Sequence, residues 1–215
     1  MTKTFCYTKR EEFLNALTHG IGALLSMIAS FFLIIHAYEK GSAIQIICLT
    51  TYAITMFCLF SASTLVHSFP EGKLKDLFEA LDHAAIYLFI AGTYTPFLFI
   101  VIKGSIGSKL FYTIWSIAVA GAIFKIIFTK RFVYFSTFIY IVMGWLMIIA
   151  WDPLITSLSK DGIRLLVAGG IFYTFGTVFY LWRGFPFHHA VWHLFVLAGT
   201  AFHFFTIFLY VLPLL

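Results

Sequence analysis

Two histidines four residues apart, His189 and His193, open the last apolar stretch of the chain. On a helix such an i, i+4 pair falls on one stripe, with side chains about 6 Å apart. Two neutral imidazoles at that spacing can bind one tetrahedral metal ion, leaving room for a third protein ligand and an open position. His67, which ends an earlier apolar run, is the candidate third ligand, with Ser63 one helical turn before it; Asp82 opens the run that follows. No Glu follows the first histidine of the pair, so this is not the HExxH arrangement, and a general base must come from elsewhere. Asp82 is suited to orient or deprotonate a water activated by the metal, and the Ser63 hydroxyl to hold that water or a substrate oxygen. Glu12, Asn15 and His19, at i, i+3 and i+7, place three more polar groups on one helical face.

The elements that must bring these residues together are set by composition. Of 215 residues, 61% are hydrophobic, 20% aromatic and only 11% charged, where soluble domains carry about 25% charged residues. With 27 Phe and a mean hydropathy of +0.97, the chain has too little polar surface to clothe a water-soluble globule, and too little charge to stay disordered. The basic residues, net +5, fall singly between apolar runs rather than on one polar face, so a nucleic-acid partner is not expected.

A bilayer core takes about 20 apolar residues per helix, and seven runs qualify, near 16–37, 43–67, 81–102, 108–128, 132–152, 163–182 and 189–212. The predicted fold is an all-α seven-transmembrane bundle forming one integral membrane domain over 1–215. The first run is too long for a signal-peptide core and lacks a cleavage site. Thr8 to Leu17 reads as an interfacial helical lead into it. On the N-terminal side of such a bundle lie nine Lys and Arg (Lys3, Lys9, Arg10, Lys73, Lys75, Lys125, Lys130, Arg131 and Arg183); five (Lys40, Lys103, Lys109, Lys160 and Arg164) lie opposite. Positive-inside asymmetry then predicts a cytoplasmic N-terminus and an outside C-terminus. In this topology His67, Asp82, His189 and His193 share one depth near the cytoplasmic face.

Singly, each of these residues has a plainer reading. An HxxxH in an apolar helix also serves helix–helix hydrogen bonding, and His67 or Asp82 alone could sit at the headgroup boundary. Their common depth on three helices is what favours a metal. His203, ten residues beyond His193 and so about 15 Å deeper, is expected to be a mid-membrane hydrogen-bonding residue, and His36 interfacial on the outer side. His83 and His188 flank the candidates but point elsewhere. Cys6, Cys48 and Cys58 form no CxxC pair, and Cys58 in its apolar run is expected to be buried without a disulfide. Gly104 to Lys109 lacks phosphate-loop spacing and is expected to be a turn. Pro96 is expected to kink the third span and free a carbonyl.

The segments EEFLNALTHGIG (11–22), SASTLVHSF (61–69), LDHAAIYLFIAGTYTPFLF (81–99) and HHAVWHLFVLAGTAFHF (188–204) together resemble the hemolysin III family, the bacterial branch of the progestin and adipoQ receptor superfamily. The resemblance covers about 11–212. It implies seven helices in a bacterial plasma membrane and a Zn2+ ion near the cytoplasmic face, with Ser63 and His67 matching the SxxxH, Asp82 the aspartate of the third helix and His189 and His193 the HxxxH. Glu12, Asn15 and His19 match the family's first motif. The wider superfamily is similar to alkaline ceramidases, which implies zinc-dependent hydrolysis of a lipid amide or ester, with membrane lipids as both environment and substrate. Two alternatives remain: a non-catalytic sensor of membrane state with structural zinc, and a pore-forming cytolysin. The last would need polar stripes along whole spans, whereas polarity here gathers at one end.

Overall fold

The computed structural model describes residues 7–215, so Lys3 and Cys6 lie outside the described residues. Seven helices among them are long and apolar enough to cross a bilayer: Lys9–Lys40, Ala43–Ser68, Lys73–Ile102, Gly104–Ile127, Val133–Ser157, Lys160–Leu181 and His188–Leu214. The first two begin with reciprocal capping boxes. Thr8 and Glu11 satisfy each other's backbone N–H groups at the first, and Ser42 and Gln45 at the second. Charged residues fall at helix ends, while Leu24, Phe31, Phe175 and many other large apolar side chains remain exposed on the outer faces. In lipid that is the stable arrangement.

The third span is the axis of the bundle: 78% of its most apolar stretch is buried, against 17–39% for the other six. It begins at Lys73, two turns before the apolar run, because a helix can extend into the polar interface where hydropathy gives no signal. The first span likewise begins at Lys9, absorbing the interfacial lead. Pro96 does not end the third span. The helix passes through it into a π-helical turn, Phe97–Ile102, whose last bond runs from the Lys103 N–H to the Leu98 carbonyl at 3.0 Å.

Gly104 to Lys109 proves helical rather than a turn. The reversal is confined to Lys103 (φ 55°) and Gly104 (φ 65°), and the glycine's left-handed backbone lets the fourth helix start at once. Cys58 is exposed on the outer face of the second helix, contrary to the expected burial; Cys48 is buried, and both are free thiols. An apolar run cannot tell the lipid-facing stripe from the core-facing one, since both are greasy.

Close approach of helices rests on small residues. A Cβ on Gly22 would fall 2.6 Å from Phe60 Cδ1 and 2.8 Å from Leu197 Cδ2, and one on Gly92 would fall 2.0 Å from Thr55 Oγ1. The fifth span changes winding at Leu146–Ala150, which is 3-10 helical. There the Tyr94 hydroxyl donates to the Met143 and Gly144 carbonyls at 2.7 and 2.9 Å and accepts the Met147 N–H at 2.8 Å. Lys125, only 1% exposed, reaches its ammonium forward to the carbonyls of Thr129 and Arg131 and so braces the turn that follows the fourth helix.

Candidate functional site

The second helix delivers His67 at its end, and the seventh delivers His189 and His193 at its start. One potential ligand atom from each of the three lies within 4.8 Å of those of the other two. Ring centroids are 4.5 Å apart for His189 and His193, 5.0 Å for His67 and His189, and 5.3 Å for His67 and His193. The register of the seventh helix is pinned from the first. Phe187 adopts a left-handed backbone (φ 62°), unfavourable for a bulky residue, and its N–H is held by Glu11 Oε1 at 3.1 Å. The capping glutamate of the first helix therefore also anchors the start of the seventh.

Hydrogen bonds decide which ring nitrogens face inward. His67 Nδ1 donates to Glu12 Oε2 at 2.6 Å, and the other carboxylate oxygen, Oε1, takes the Lys75 ammonium at 2.6 Å. His193 Nδ1 lies 3.1 Å from the Asn15 carbonyl and 3.1 Å from the Thr18 hydroxyl. In both rings the proton sits on Nδ1, so Nε2 carries the free lone pair, the form a metal-binding imidazole takes when its far nitrogen is engaged. His67 Nε2 is buried with no hydrogen-bond partner. A buried acceptor without a donor, beside two further imidazoles, fits a metal ion supplied from outside the chain.

Glu12, Asn15 and His19, whose role the sequence left open, are thereby placed. Glu12 orients His67, and the Asn15 backbone orients His193. His19 stacks on His193, with centroids 3.5 Å apart and planes 11° from parallel, and its Nδ1 meets Ser63 Oγ at 2.6 Å. Ser63 and Asp82 line the same cavity beside the histidines. Asp82 and Ser63 therefore border the cavity rather than joining the three-histidine group. His188, adjacent to the cluster in sequence, directs Nδ1 to the Phe179 carbonyl at 3.1 Å. His83 bonds the Glu79 carbonyl and the Tyr180 hydroxyl at 2.8 and 3.2 Å. Neither belongs to the group that can share an ion.

Two contributors escaped the sequence reading. Lys75 was counted only as a topology signal, though its charge neutralises Glu12. Tyr7, just ahead of the first helix, packs its ring against His189, His188 and His67 at 5.2, 5.9 and 6.0 Å. Burial there raises its phenol above the ordinary range, so the hydroxyl stays protonated. A lone tyrosine in a short polar leader carries no signal that could have found it.

From the histidines a cavity of about 120 Å3 runs between helices as far as His203. His189, His193, Ser63 and Asp82 border one end. Ile86, Phe89, Ile90 and Val196 form part of its wall, and Tyr94, Trp145, Tyr173 and His203 also line it.

These features define a seven-helix integral membrane protein with an intramembrane cluster of three histidines able to hold a metal ion. The family described as Haemolysin-III related matches residues 7–204. The chain is 53% identical over 204 residues to the Hemolysin-3 homolog of Bacillus subtilis (strain 168), covering 95% of this chain and 96% of that protein. It is 52% identical over 213 residues to Hemolysin-3 of Bacillus cereus, covering 99% and 97%. The human Monocyte to macrophage differentiation factor is 31% identical over 222 residues, covering 97% of this chain and 86% of that protein. The chain belongs to the haemolysin-III related family and is a multi-pass integral protein of the bacterial plasma membrane.

Proposed function

We propose that this protein is a zinc-dependent hydrolase of a lipid amide or ester bond, with the histidine end of the bundle facing the cytoplasm. The observation that carries the reading is the meeting of three clustered imidazoles with an apolar cavity that an aspartate and a serine also line. His67, His189 and His193 would hold the zinc. Zinc in a three-histidine set supplies Lewis acidity, polarising a carbonyl and bringing the ionisation of water down towards about pH 7.

The chain's own groups supply the rest. Asp82 Oδ takes the proton of an attacking water. The Ser63 hydroxyl, positioned by His19 Nδ1, hydrogen-bonds the carbonyl oxygen as negative charge builds there. Glu12 and the Asn15 carbonyl keep His67 and His193 in one tautomer. The apolar wall excludes bulk water and takes acyl chains, which enter sideways from the bilayer between helices. The excess of Lys and Arg on the N-terminal side, nine against five, supports the orientation.

The test uses purified protein in detergent. Elemental analysis should give one zinc per chain, and Asp82→Asn should stay folded and zinc-loaded while losing release of fatty acid from a panel of ceramides and ester lipids. Absence of stoichiometric zinc overturns the reading. Full activity in Asp82→Asn overturns the role of the aspartate. If no lipid in the panel is cleaved although zinc is bound, the metal ties helices together in a sensor.

A further inference from the structure

His203 lies ten residues beyond His193 on the same helix, about 15 Å along its axis, and borders the same cavity as the metal cluster. Its Nε2 meets the Leu166 carbonyl of the sixth helix at 3.1 Å. A carbonyl only accepts, so Nε2 carries the proton and Nδ1 is left as an acceptor. That Nδ1 is buried and has no hydrogen-bond partner. The ring is locked in place: Tyr173 packs edge-on at 5.3 Å, and Gly169 lies so close that a Cβ there would fall 2.2 Å from His203 Cδ2.

Several other polar side chains that line the cavity are paired. The Tyr173 hydroxyl and Thr200 Oγ1 meet at 2.8 Å, and Trp145 Nε1 donates to Thr174 Oγ1 at 3.0 Å. A water satisfying Nδ1 would need two or more polar partners of its own, and each of these side chains already spends one hydrogen bond on its neighbour. A fixed acceptor deep in the bilayer is costly unless a donor reaches it.

We propose that His203 is a specificity-determining residue: its Nδ1 accepts a hydrogen bond from a hydroxyl carried partway along the lipid chain, about 15 Å from the group bound at the histidine cluster. The proposal rests on the reading of the cavity as a lipid site, but not on hydrolysis. The ligand class is therefore a long-chain lipid with a mid-chain hydroxyl rather than a plain saturated chain.

The experiment compares equilibrium binding of 12-hydroxystearate and stearate to the purified, zinc-loaded protein in one detergent. The hydroxylated acid should bind about tenfold more tightly, the worth of one hydrogen bond to an otherwise unpaired buried acceptor. In His203→Phe the ratio should fall to about one while stearate still binds, and in His203→Gln, which restores an acceptor, it should recover in part. Equal affinities in the unaltered protein, or a preference that survives His203→Phe, overturn the proposal; the first needs no variant to fold. Failure of either acid to bind overturns the proposal together with the lipid reading of the cavity. A preference that obeys His203 in a protein that cleaves nothing supports the proposal and sinks only the hydrolase reading.

Discussion

Replacing Glu12 by Gln tests whether the first helix sets the metal affinity of residues on the second and seventh. Glu12 holds His67 Nδ1 at 2.6 Å through one oxygen and the Lys75 ammonium at 2.6 Å through the other. A hydrogen bond to a charged partner contributes about 1.5–3 kcal/mol. Loss of a carboxylate that orients a ligating histidine lowers metal affinity roughly 10–100-fold, which is about 1.4–2.8 kcal/mol, so two independent scales agree. The side chains of His67, Lys75 and Glu12 are 6%, 14% and 19% exposed, so solvent does little to blunt the effect. Competition of the purified protein against a zinc-binding dye measures it directly. Glu12→Gln should bind zinc roughly 10–100-fold more weakly, His67→Ala should lose stoichiometric binding, and Lys75→Met, which leaves the Glu12–His67 bond in place, should fall between the parent and Glu12→Gln. Zinc affinity in Glu12→Gln indistinguishable from the parent would refute the claim that this carboxylate orients a metal ligand.

Tyr7→Ala removes the ring that packs on three histidines, worth about 0.5–1.5 kcal/mol for each aromatic contact, and should speed zinc extraction by a chelator several-fold in stopped-flow; an unchanged rate would show that Tyr7 does not cover the cluster. Gly92→Ala should lower stability by about 1–3 kcal/mol through overpacking against Thr55. Adding Thr55→Ala should restore the unfolding midpoint in detergent, and failure of that rescue would place the clash elsewhere. Tyr94→Phe strips partners from the Met147 N–H and from the Met143 and Gly144 carbonyls. It should cost about 1–3 kcal/mol without changing zinc stoichiometry, and equal thermal stability would rule out the bridge.

The site was partly legible because a bilayer turns sequence position into depth. His67 closes one run, and Asp82, His189 and His193 open runs of the opposite direction, so their shared level follows from counting spans. The His189–His193 pair follows from helix periodicity alone. The partners of Glu12, Asn15 and His19 were not legible: i, i+3, i+7 spacing names a face but not the neighbour it meets. Cys58 was misplaced for the same reason, since in lipid the outward stripe is as apolar as the inward one and hydropathy loses its power to assign faces. The early start of the third helix at Lys73 was missed because hydropathy marks only the hydrocarbon core, whereas that of the first, capped by Thr8, was legible as an interfacial lead.

What the chain alone determines is the solvent it needs, the seven crossings and the level at which its ionisable residues lie. Each follows from local length and polarity, since a bilayer imposes a thickness and a cost for charge on every segment separately. Rotation of each helix about its axis was decided only by tertiary packing. That rotation selected Nε2 of His67 and His193 for the centre, turned His188 towards Phe179, brought Lys75 to Glu12 and set His203 against a cavity with its Nδ1 unpaired. It depends on which small residues let two backbones approach and which side chains then interlock, a property of pairs of segments that no single segment contains.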